Sequence, residues 1–368
     1  MVRGSIKFAG ARFIGASLLK LLVRRKSSNM RTAGYGTFAL SFLACFLALG
    51  TSHAFCQVLP TKGSIAGEQA AYQIQELPLR PIAISNSGWV AGATADQHAA
   101  TWQKKSGLHR VSLPAELSSS EATSINSRGE AVGTASNADS SHRVAFWLRE
   151  NKVTLLPGGQ TRANSINEAS QITGQAIAPG AKVSGPTLWK DGNLVDLKIC
   201  CAGFGRAINA QGSIAGDTYD EQGRYHAFVW DGTHGVHIIP VPGADFSSVL
   251  ALNDHGDVVL KASPGGLFLY SEGNLHALQI PKATPRAMNN NGVIVGSFGP
   301  GPEEQRAFVW SEVQGLQDLN ALIPANSGWT LEVATGVNDH GEIIGWGDHG
   351  GEGNVGFMLR PRKPAAKK

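Results

Sequence analysis

One nine-residue pattern, Ile-Asn-x-x-Gly-x-Ile/Val-x-Gly, recurs along this chain, and a recurring unit constrains a fold more than any single motif. It runs from Ile125 to Gly133, Ile208 to Gly216, Met288 to Gly296 and Val337 to Gly345. Degenerate copies stand at Ile84 to Gly92, Ile166 to Gly174 and Leu252 to Leu260. The turn positions are Gly88, Gly129, Ser170, Gly212, Gly256, Gly292 and Gly341, at steps of 36 to 49 residues that average about 42. That is the period of a four-stranded propeller blade.

Each copy reads as four short strands, A to D. Strand A holds the small and apolar residues before the Asn, as in Ala207-Ile208, and strand B follows the Gly, as in Ser213-Ile-Ala-Gly216. Asn opening and Gly closing the four-residue link suit a tight turn, because Asn bonds back to local backbone and Gly accepts positive φ. Strand C is the Ala-Phe-x-Trp run at Ala227 to Trp230 and Ala307 to Trp310, and strand D follows another Gly turn, as at Asn193 to Leu197. Such a sheet has two apolar faces and buries neither alone. Stacking seven around an axis buries both and leaves only short edges.

The fold read from this is all-β, a seven-bladed propeller of four-stranded blades over residues 72–361. Its last copy ends after strand C at Phe357 to Leu359, while Tyr72 to Leu77 stands ahead of the first copy as an orphan strand D. Pairing of those two segments is expected to complete the seventh blade.

The chain has 368 residues, 42% of them hydrophobic and only 16% charged, which excludes a disordered protein. A formal charge of +4 suggests a basic protein, but the charge is uneven. Residues 1–54 carry eight Lys and Arg with no Asp or Glu, and the end from Arg360 carries five more; setting both aside leaves about −9 on the body. Nucleic acid is therefore not the expected partner. From Phe38 to Leu49 an apolar run follows Met30-Arg31 and precedes small residues ending at Ala54, the layout of a secretory signal too short to span a bilayer stably. The expectation is a start at Met30, or alternatively a long basic leader from Met1, with cleavage after Ala54. A linker over 55–71, a polar tail over 362–368 and a secreted or periplasmic monomer without a transmembrane anchor complete that reading. Cys56, Cys200 and Cys201 would remain after cleavage; a bridge between Cys200 and Cys201, one of them paired with Cys56, and buried thiols all stay open.

The Tyr225-His-Ala-Phe-Val-Trp230 unit, the Ile-Asn-x-x-Gly turns, and the passage from Asp318-Leu-Asn-Ala-Leu-Ile through Ser327-Gly-Trp-Thr-Leu331 to Phe357-Met-Leu-Arg-Pro361 resemble the HAF-repeat family of bacterial extracellular proteins. The likeness covers roughly residues 72–361. Copies three and five depart most: Ser170 stands for the turn Gly, and Pro186 to Trp189 and Gly265 to Phe268 lack the His-Ala-Phe. The resemblance implies a secreted repeat protein with no assigned reaction.

Tight A–B and C–D turns share one face of such a ring, so the variable B–C and D–A links share the other, where a rigid scaffold would carry binding loops. Candidate ligand-binding residues there are Asp217, Tyr219, Asp220, Glu221, Glu303, Glu304, Trp346, Asp348, His349 and Glu352. Carboxylates beside aromatic rings suit a glycan, and oxygen-rich loops suit calcium, although the spacing matches no calcium loop and no cofactor motif is present. His98, His142 and His226, and Trp102, Trp189, Trp230 and Trp310, recur in phase and read as structural, with each indole N–H satisfied nearby. No nucleophile elbow, zincin, P-loop or Cys-x-x-Cys motif occurs. A binding or interaction scaffold for a glycan or protein is the leading function; a polysaccharide hydrolase or lyase with carboxylates at the channel and a structural envelope component are the alternatives.

Overall fold

The structure is a computed structural model that describes residues 70–177, 180, 182–199, 201–301 and 304–362. The leader, most of the linker and the tail from 363 lie outside the described residues, as do Cys56, Cys200 and Glu303. Among the described residues no helix is long and apolar enough to cross a membrane.

Seven antiparallel four-stranded sheets form a seven-bladed propeller. Strand A of each blade touches strand A of the next all the way round, which places the A strands at the axis and the D strands outside. Blade seven is completed as the sequence implies: Tyr72–Leu77 pairs with Glu352–Pro361, with Tyr72 opposite Pro361 and Ile74 opposite Leu359.

The core is divided. Seven apolar clusters fill the seven gaps between blades. The period of two in a strand explains how: Ala131 faces the gap towards blade one while its neighbour Val132 faces blade three. Phe146, Phe228, Phe308 and Phe357 of the C strands are fully buried in these gaps.

The strand-B glycine is required by close approach. A Cβ on Gly133 would lie 2.0 Å from the Glu121 carbonyl oxygen and 2.6 Å from the Phe146 ring. Copies three and five nevertheless build regular blades. Ser170 holds the turn at φ +58° and spends its hydroxyl on Glu130, 2.6 Å away. In blade five Leu260 fills the space over the sheet, and the facing Phe268 is only half-buried.

Candidate functional site

The channel has two ends built on different rules. At the A–B turn end, the repeated Asn of six blades is buried and does two jobs. Its Oδ1 accepts backbone N–H groups two and four residues on, as Asn167 does from Ala169 at 3.0 Å and Gln171 at 2.9 Å. In five of the six its Nδ2 donates to the backbone carbonyl of the equivalent residue in the next blade: Asn126 to Asn167, Asn167 to Asn209, Asn209 to Asn253, Asn289 to Asn338, and Asn338 to Ser85, while that of Asn253 turns to Asp257 at 2.9 Å. Asp lacks the donor, and Ser lacks the reach. A second tier follows one residue on, where the backbone N–H of Asp254 meets Asn290, that of Asn290 meets Asp339, and that of Asp339 meets Asn86.

The other end opens into a cavity of about 1130 Å³ that runs down the axis. Every A strand carries a β-bulge three residues before the Asn position, which turns one extra side chain towards the axis. Those seven residues are Ile82, Thr123, Asn164, Arg206, Leu250, Arg286 and Thr335, and all line the cavity. Thr123, Asn164 and Thr335 donate to a carbonyl of the next A strand, at 2.8, 2.7 and 3.0 Å. Arg206 turns back to Asp217 at 2.7 Å. Arg286 is exposed and has no ion pair among the described residues.

Several expected site residues lie within strands, because blades four and seven extend strand B beyond the glycine. Asp217 and Tyr219 belong to Ile214–Tyr219, and Trp346, Asp348 and His349 to Ile343–His349. Asp217 is buried, and its carboxylate accepts from Arg206, the Ser248 hydroxyl at 2.9 Å and the Val249 N–H at 2.8 Å, tying blade four to blade five. Asp220 opens a B–C turn and accepts from the backbone of Gln222 and Arg224 while pairing with Arg224 and His226. Desolvation opposes its ionisation, but those partners prevail and hold its carboxyl well below the usual range. Tyr219 meets Tyr225 edge-on at 6.0 Å, and Tyr225 meets Phe246 at 5.2 Å, so an aromatic cluster lies at this end of blade four. Glu221, Glu304 and Glu352 are exposed.

At blade seven, His349 stacks on Trp329 at 4.3 Å and reaches Glu76 of the closing strand at 3.1 Å. Burial and the charge of nearby Asp348 push the Glu332 carboxyl up. The Arg80 guanidinium lies over the Trp346 ring, 4.7 Å from its centroid, and both line the cavity. Asp217 and Asp348 stand on blades four and seven, which are not neighbours. Among the described residues no group of three or more His, Cys, Asp or Glu is placed to hold a metal ion. Cys201 is half-buried.

The repeated side chains also divide. Trp189 is buried and its indole donates to the Pro157 carbonyl at 2.9 Å, but the buried Trp147 indole nitrogen has no partner. Of the three in-phase histidines, His226 has an imidazole bond, whereas His98 and His142 act through backbone in closing B–C turns. The channel arginines Arg80, Arg206 and Arg286 escape a motif search. For Arg206 and Arg286 the signal is the column three residues before the Asn, which varies between Ile, Thr, Asn, Arg and Leu inside an otherwise monotonous strand; Arg80 lies two residues ahead of that column.

No protein-family model and no curated protein matches this chain. Solved structures do match. The β-propeller domain of the Trilobed protease from Pyrococcus furiosus, described as an open velcro topology, is 7% identical over 78% of this chain and 94% of that one, with a TM-score of 0.53. Virginiamycin B lyase from Staphylococcus aureus is 10% identical over 78% and 99% (TM-score 0.51). A chain of the mitotic checkpoint complex is 12% identical over 85% and 99% (TM-score 0.51). At such identities the likeness is one of fold.

Proposed function

We propose that this protein is an exported binding scaffold of the HAF-repeat type, whose ligand, a glycan or a protein, docks at the variable-loop end of the channel. One observation carries the reading. The cavity of about 1130 Å³ opens where side chains differ from blade to blade, whereas the opposite end repeats one residue. Repetition is what a scaffold needs, and difference is what recognition needs. Asp217 is buried against Arg206, and neither it nor Asp348 lines the cavity, which weighs against acid and base work by that pair in the channel.

The test is to screen the full exported chain on a glycan array and by pull-down from envelope extract, beside Trp346→Ala and Asn354→Ala, two residues of the cavity lining on blade seven. Capture that weakens with either change supports the proposal. Capture indifferent to both, or none in either screen, overturns it.

A further inference from the structure

The bulge column is an internal control on what the channel wall requires. Seven positions with the same backbone geometry hold Ile82, Leu250, three polar residues that bond forward to the next blade, and two arginines. Ile and Leu show that the scaffold is satisfied without any charge at this position. Arg206 is accounted for by the buried Asp217. Arg286 is not: it neither bonds forward nor meets a carboxylate among the described residues. Arg80 lines the same cavity, also without a carboxylate partner, with its guanidinium over Trp346.

Other charges facing this space have to be counted. Glu121 lines the cavity, and its field acts on Arg162 of the adjoining blade. Asp217 is occupied by Arg206. With Arg206 neutralised by Asp217, the cavity wall carries Arg80 and Arg286 against Glu121, a small excess of positive charge inside a body of about −9. Like charges gathered in a cleft with low-dielectric walls repel one another and focus a field on any anion that enters. Guanidinium groups bind carboxylate and phosphate oxygens through paired N–H donors.

We infer that the channel mouth is an oxyanion-binding site, in which Arg286 and Arg80 hold the carboxylate or phosphate groups of an anionic ligand entering from the variable-loop end. This rests on the binding-scaffold reading and reverses the polarity that the acidic loops suggest. Trp346, held by Arg80, offers a flat apolar wall beside the anion, which suits a ligand with both an apolar face and a charge.

Calorimetric titration of the full exported chain with hexagalacturonate, with inorganic pyrophosphate and with neutral maltohexaose tests the inference. Binding of the uronate points to a carboxylate ligand and binding of pyrophosphate alone to a phosphate ligand; either supports the site when maltohexaose binds at least ten-fold more weakly. Arg286→Leu copies the residue of the adjoining blade and is expected to fold, which a thermal melt checks. It should weaken the anion at least ten-fold, as should Arg80→Gln, and raising salt from 50 to 200 mM should weaken it further. Affinity unchanged in Arg286→Leu, equal binding of maltohexaose, or no binding of either anion overturns the site. A neutral glycan or a protein captured at the same loops in the screens above would then leave the scaffold reading standing alone.

Discussion

The two ends of the channel are made from the same seven strands, yet they obey opposite rules. At the A–B turns six blades use a buried Asn, and its amide passes from blade to blade in one direction. At the mouth, the corresponding level holds Ile, Thr, Asn, Arg and Leu, and each side chain finds its own solution. The difference separates two demands on a repeat protein. Whatever a blade must do for its neighbour is repeated round the ring, in six of the seven blades for this Asn, while anything done once for the whole ring is written once.

That contrast can be broken by experiment. Asn167→Ala should be the most damaging single change, because it strands the buried Asn209 carbonyl and the part-buried N–H groups of Ala169 and Gln171 at once; a loss of about 2 kcal/mol in urea unfolding is expected. Ser85 is the one ring position without the amide, so Ser85→Asn should supply a forward donor towards blade two and raise stability by about 1 kcal/mol. No gain there would mean that the Ser87 bond to the Ser127 carbonyl already does the work.

Acid and base should tell the ends apart by sign. At the turn end, desolvation opposes ionisation of Glu130, but bonds from Arg128, Ser170 and Asn126 hold its carboxyl below the ordinary 4.5. Its contribution is therefore present above 4.5 and lost as pH falls through the lower folded value. At the mouth, Glu332 is raised, so its contribution is present below 4.5 and lost as pH climbs through the folded value. Glu130→Gln should flatten the acid limb of the stability profile, and Glu332→Gln the opposite limb; identical profiles would erase the distinction. The smallest effect belongs to the mouth surface, where Glu221→Ala should change stability by less than about 0.5 kcal/mol by the same denaturation.

The fold was legible in the sequence because turns punctuate it: the Asn, the Gly and the Ala-Phe-x-Trp run mark three of the four strands at one period. The closing strand was legible for the same reason, since a missing strand D at one end matches a spare one at the other. The site was far less so. Asp217 and Trp346 read as loop residues because nothing in their types shows that strand B continues past the glycine in blades four and seven. The bulge that aims Arg206 and Arg286 is a register shift between two strands, so it belongs to a pair of segments and leaves no mark in either alone. Asn was legible as a turn former, but its second job depends on a neighbour about 42 residues away.

The pairing of Tyr72 with Pro361 also sets an order in time. Any blade from one to six can assemble once its own four strands exist, whereas the seventh waits until segments from opposite ends of the body meet. Until then Glu352–Pro361 presents a bare edge, and Tyr72–Leu77 has nothing to pair with. Closure of this ring therefore joins segments about 290 residues apart, the pairing with the highest loop-closure cost in the fold.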